Sequence, residues 1–178
     1  MERWSRALER GVAVVSRAAL AVAAVACLFC LGLVCWAVAM RYFLGQPQSW
    51  SDEAVGWLVV ALVMLAVPEA QRRGENIGVD WLVDRWTGAR RRAVIGLGAA
   101  AVAATALVLI VEGWKTVAFT RMVGIVSNAI PEFPLWAVQA LIPVGAVLLL
   151  LVALGQVAAW LAGREPEGWE EREFDVHE

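Results

Sequence analysis

The sequence holds one histidine, His177, next to its last residue. No HExxH or HxxxH pattern occurs, and no serine sits in a nucleophile elbow, so the common imidazole-based hydrolytic sites have no residues to build them. Charge is scarce as well: 18% of the 178 residues are charged and 61% are hydrophobic. A water-soluble domain of this length has more surface than the few charges in the middle of this chain could solvate. A net charge of -2 gives no overall basic character to draw the chain onto nucleic acid. Cysteine is limited to Cys27, Cys30 and Cys35, all in one apolar run, which offers no disulfide framework. Cys27 and Cys30 have CxxC spacing, yet mid-run they read as small apolar fillers rather than a redox pair or metal site.

Long apolar runs take the place of these features. Residues 18–40 form an uncharged stretch of 23. As a helix it would rise roughly 35 Å, enough for a hydrocarbon core of about 30 Å. Residues 54–68, 93–111 and 133–163 form three more runs, of 15, 19 and 31 residues. The second is short and needs residues 51–53 or Glu69–Ala70 to reach the headgroups. A cleaved leader is the competing reading of the first run. That run exceeds an ordinary leader core of about 7–15 residues and ends at Arg41 without a small-x-small site. The expectation is an all-α integral membrane protein with four transmembrane helices, residues 1–163. Residues 164–178, with seven acids and two arginines, read as an acidic, flexible tail.

Basic residues set the expected orientation. Arg3, Arg6, Arg10 and Arg17 precede the first run. Arg72, Arg73, Arg85, Arg90, Arg91 and Arg92 lie between the second and third, and Arg164 and Arg172 follow the fourth. Only Arg41, Lys115 and Arg121 fall in the other two connections. Both termini are therefore expected in the cytoplasm. The tryptophans sit at the same borders: Trp36, Trp50, Trp114 and Trp136 outside, Trp81, Trp86 and Trp160 inside. Trp57 lies a few residues inside the second helix, facing either a partner or lipid.

The outer turn reads RYFLGQPQSWSDEAVGWLVV, residues 41–60. Gly45 and Pro47 end the first helix. Ser51 suits the N-cap of the second, with Asp52 and Glu53 at its positive dipole end. Trp50 can staple that start, and Arg41 can snorkel or pair with either acid. The inner connection reads QRRGENIGVDWLVDRWTGARRR. Its DWLVDRW segment suits a short interfacial helix with Trp81, Leu82 and Trp86 in the membrane surface. It is either a plain connector or an elbow that docks a partner. In the third run Gly96, Ala100 and Ala104 form a small-xxx-small pattern suited to close helix packing, and Glu112 and Lys115 are spaced to pair. Gln139 and Gln156 are expected near opposite borders.

The order RYFLGQP, WSDEAVGWLVV, RRGENIGVDWLVDR, EGW and IPEFPLWAVQALIPVG resembles the small membrane subunit of tripartite ATP-independent periplasmic (TRAP) transporters, the DctQ-like family. The likeness runs from about residue 41 to 150. Arg41, Tyr42, Leu44, Gly45, Trp50 and Glu53 meet the family's first outer motif. Arg72, Arg73, Gly74, Ile77, Val79 and Asp80 meet its inner motif, with Asn76 where histidine is common. The resemblance implies a scaffold subunit in a bacterial inner membrane. Its partners would be a large DctM-like permease subunit, a periplasmic DctP-like solute-binding protein and membrane lipid, with no nucleic acid. It implies sodium-coupled uptake of an organic anion such as a dicarboxylate, a sialic acid or a 2-oxo acid. Sodium is expected on the large subunit, and no cofactor, metal or catalytic residue on this chain. Candidate docking residues are Arg41, Trp50, Asp52, Glu53, Trp57, Arg73, Asp80, Trp81 and Trp86.

Two rival classes meet obstacles in the sequence. A homo-oligomeric channel would need a polar stripe along a helix, and no run has one. An integral-membrane enzyme would need a catalytic constellation. The runs are almost bare of Asp, Glu, Lys, Arg and His away from their borders, whereas ionisable residues inside a membrane usually mark a transport path. The chain also shows no convincing inverted repeat of the kind complete transporters carry.

Overall fold

The computed structural model describes residues 2–74, 89–130 and 133–163. Five helices make it up: α1 Glu2–Phe43, α2 Ser49–Arg73, α3 Ala89–Val123, the short α4 Leu135–Gln139 and α5 Leu141–Leu161. Four stretches are long and apolar enough to cross a membrane: Gly11–Phe43, Ser49–Arg73, Arg90–Val123 and Leu135–Leu161. The fold is all-helical, as the apolar runs required. The expected interfacial helix, with Asp80, Trp81 and Trp86, and the acidic tail lie outside the described residues.

Local chemistry explains where the helices stop. After α1, Gly45 takes φ 64°, a conformation that costs glycine nothing. The N–H groups of Leu44 and Gln46 both donate to the Met40 carbonyl there, at 3.2 Å each. Between α4 and α5 the break falls at Ala140. Pro143 lies four residues after Gln139, has no N–H for the Gln139 carbonyl and crowds it with its ring. The α4–α5 pair still crosses as one rod, because Ala140 N–H donates to Trp136 O and Val144 N–H to Ala140 O.

The helices pack in the spatial order α1, α2, α5, α3, which puts α1 and α3 at opposite edges. Large apolar side chains on the edge helix α1 stay exposed, among them Leu28 at 70% and Phe29 at 63%. Such a surface would be a severe aggregation hazard in water and is ordinary in lipid.

At the α2–α5 crossing, a backbone-to-backbone approach replaces side-chain packing. Pro68, buried within α2, leaves the Met64 carbonyl without its usual donor four residues on. Gly145 faces that carbonyl so closely that a Cβ would lie 2.5 Å from the oxygen. A hydrogen on Cα fits there; a methyl group does not. Gly145→Leu is expected to destabilise the protein by about 1–3 kcal/mol through overpacking. Gly155→Leu is the control, since a Cβ at Gly155 would meet nothing within 4 Å. Thermal denaturation in detergent should separate the two variants.

The small-residue face of α3 differs from the expectation. Ile95, Gly96, Ala99, Ala106, Val117 and Thr120 are buried, whereas Ala100 and Ala104 are exposed. A strict four-residue spacing rotates about 40° per step around a helix of 3.6 residues per turn, so it leaves the contact face. Gly96 alone of the predicted three lies in the contact, against the ring of Trp160. Trp160 Nε1 donates to the Arg92 carbonyl at 2.7 Å, and the Arg92 guanidinium returns a bond to the Trp160 carbonyl at 3.1 Å.

Candidate functional site: the pinned ends of α2

At one end of the bundle, Glu53 and Trp57 lie one turn apart on α2 and together hold the segment that joins α3 to α4. That segment closes into a small hairpin. Val126 and Pro134 form an isolated antiparallel bridge, Ser127 N–H donates to Phe133 O at 2.9 Å, and Leu135 N–H donates to Ile125 O at 3.2 Å. Ser127 Oγ accepts from the N–H groups of Ala129 and Ile130, which shapes the turn. The same hydroxyl donates to Glu53 Oε2 at 2.7 Å, and Ala129 N–H donates to that oxygen at 3.1 Å. Bonds to an ionised acceptor are the stronger kind. One turn along, the Trp57 ring stacks on Phe133, with centroids 4.9 Å apart and planes at 22°. Trp57 therefore has a partner within its own chain, a possibility the sequence reading did not weigh.

The remaining outer candidates sit around this anchor. Arg41 and Asp52 approach to 3.6 Å, both largely exposed, so the pair contributes little to stability. Trp50 Nε1 donates to Gln48 Oε1 at 2.9 Å, and its ring lies 5.6 Å from that of Trp36, joining α1 to the start of α2. Ser51 is not the N-cap. Gln48 holds that position in an extended conformation, without a side-chain cap bond. Ser51 falls within the first turn, where its buried hydroxyl donates to the Gln48 carbonyl at 2.6 Å. Serine inside a first turn commonly bonds back to a preceding carbonyl. Across the hairpin, the Arg121 guanidinium lies over the Trp136 ring, 5.5 Å from its centroid.

The opposite end of α2 carries the feature the sequence reading missed. Glu69, treated there as the edge of an apolar run, is 1% exposed. Its carboxylate accepts from Ser16 Oγ on α1 at 2.5 Å, from Arg72 Nε and an Arg72 terminal nitrogen at 2.8 and 2.7 Å, and from Arg73 Nε at 2.8 Å. Arg17 approaches to 4.0 Å. The spacing Glu-x-x-Arg-Arg was a usable signal, since positions three and four along a helix share a face. Arg73, one of the docking candidates, thus spends one guanidinium nitrogen on Glu69. Nearby, Gln71 and Gln156 exchange two bonds between α2 and α5, side chain to side chain at 2.8 Å and Gln156 Nε2 to Gln71 O at 2.9 Å.

These groups are arranged for holding. Among the described residues no three His, Cys, Asp or Glu side chains group to bind a metal ion. Cys27, Cys30 and Cys35 are free thiols along α1. The Ser16–Glu69, Gln71–Gln156 and Glu53–Ser127 bonds join helices to one another or to a connecting segment. The sequence model of the DctQ component of tripartite ATP-independent periplasmic transporters matches residues 30–163. No curated protein sequence matches the chain.

Proposed function

We propose a function from one premise: the chain belongs to the DctQ family, the small membrane component of tripartite ATP-independent periplasmic transporters. The proposed role is that of a rigid scaffold. It braces a large permease subunit while that subunit moves an organic anion, such as a dicarboxylate, a sialic acid or a 2-oxo acid, with sodium. A periplasmic solute-binding protein delivers the anion. The chain itself carries neither solute nor sodium and performs no catalysis. One observation carries this reading: the buried carboxylate of α2, Glu69, is fully engaged by Ser16, Arg72 and Arg73. A carboxylate on a solute or ion path must exchange partners as the cargo passes; this one is committed to tying α1 to α2.

In this reading the protein lies in a bacterial inner membrane with both termini cytoplasmic. The Glu53 hairpin then faces the periplasm and the Glu69 cluster the cytoplasm. The bias of Lys and Arg between the connections supports that orientation. With the three native cysteines replaced, Gln46→Cys should react with an impermeant thiol reagent in intact cells and Ala162→Cys should not; the reverse pattern would invert the assignment. The function itself is tested in vesicles holding this chain, its large subunit and a sodium gradient, with the binding protein added outside. Uptake should require all three proteins. Anion uptake by vesicles containing this chain alone would end the scaffold reading.

A further inference from the structure

We propose that the outer half of the α3–α5 seam is a binding site for a phospholipid with a primary-amine headgroup, phosphatidylethanolamine. An open groove of about 640 Å³ runs there, lined by Ile110, Val111, Trp114, Lys115, Pro143 and Val147 among others. Beside it Gly113 packs against Pro143, where a Cβ would lie 3.1 Å from the ring.

The depth of the groove suits a lipid. Arg92 and Glu112 are twenty residues apart on α3, about 30 Å of helical rise, which is the hydrocarbon thickness. With Arg92 at one border, Glu112, Trp114 and Lys115 stand at headgroup level on the other. Ile110, Val111 and Val147 lie on the acyl side, and the exposed Trp114 ring is of the kind that favours this level.

The charges select the headgroup. Lys115 Nζ donates to Glu112 Oε1 at 2.8 Å, with both side chains more than 60% exposed. That bond uses one of three ammonium hydrogens and one of two carboxylate oxygens. A phosphate oxygen can accept from Lys115 while an ethanolammonium donates to Glu112 Oε2, so the headgroup's two charges lie against their opposites. Phosphatidylcholine has the phosphate but no N–H, and phosphatidylglycerol has the phosphate but no cation. Each satisfies Lys115, but phosphatidylcholine offers Glu112 Oε2 no donor and phosphatidylglycerol offers it only neutral hydroxyls.

Native mass spectrometry of the full chain, released from detergent supplemented with equal amounts of the three lipids, tests the site. Phosphatidylethanolamine should be retained about tenfold over phosphatidylcholine, the effect of one charge-assisted hydrogen bond, and by a smaller factor over phosphatidylglycerol. Glu112→Gln should erase the preference over phosphatidylcholine, and Lys115→Glu should abolish retention of all three. The exchange Glu112→Lys with Lys115→Glu restores both charges and should restore the preference. Val147→Trp fills the groove without touching the charges and should also abolish retention. Circular dichroism of each variant confirms that it remains helical. Equal retention of the three lipids by the unmodified chain, or unchanged retention by a helical Lys115→Glu or Val147→Trp variant, would overturn the site.

Discussion

Glu69→Ala should leave little folded protein at temperatures the unmodified chain survives. The substitution takes away the acceptor shared by Ser16, Arg72 and Arg73 and leaves a space at a buried position. Breaking a fully buried ion pair costs about 3–5 kcal/mol; here Glu69 is buried but the Arg73 side chain is 44% exposed, so the loss should fall toward the lower end of that range. Glu69→Gln keeps an oxygen acceptor for Ser16 and loses the charge, so its cost should be smaller. Asp52→Ala removes an acid from an exposed pair and should change stability by less than about 1 kcal/mol. Thermal denaturation in detergent, followed by the fraction that stays monodisperse, should rank the variants in that order. Equal tolerance of Glu69→Ala and Asp52→Ala would show that the α1–α2 contact does not depend on this cluster.

The second large effect is expected at the other end of α2. Glu53→Ala removes the acceptor of Ser127 Oγ and Ala129 N–H, two charge-assisted bonds, each of a kind that contributes about 1.5–3 kcal/mol. Among the described residues the Trp57–Phe133 stack would then remain to hold the α3–α4 hairpin to α2. Hydrogen exchange at Ala129 and Ile130 should quicken, while exchange in the middle of α2 stays slow. Arg41→Glu provides the contrast, because its pairing with Asp52 is exposed and does not reach the hairpin. It should leave exchange at Ala129 unchanged. If the outer face docks the binding protein, Arg41→Glu should lower uptake at low binding-protein concentration, and excess binding protein should restore it. Slow exchange at Ala129 in Glu53→Ala would remove Glu53 from the role given to it here.

Four membrane-crossing helices were legible because each needs only a long apolar run, which no packing partner can disguise. The weak second run reached full length for a reason the composition hid. Glu69, Arg72 and Arg73 look like a border in sequence, yet a carboxylate bonded three and four residues ahead stays helical, and α2 continues to Arg73. The tie from Glu53 to Ser127 stayed hidden for the opposite reason. Dipole and capping rules account for an acid in a first turn so completely that nothing pointed to Ser127, 74 residues away. The hairpin around Ser127 has neither helical nor strand periodicity and could not be read locally. The Gly96, Ala100, Ala104 stripe followed the four-residue spacing of letters, whereas the helix surface follows 3.6. The Pro68–Gly145 approach needed the fold itself, since it joins two breaks in pattern on different helices.

The central claim, a small subunit that braces a larger one, is tested most directly by extracting the native assembly in mild detergent through a tag on this chain and weighing it. The account predicts a discrete particle in which each copy of this chain accompanies one large multi-spanning subunit. A stable particle made of this chain alone, at a fixed copy number, would contradict it.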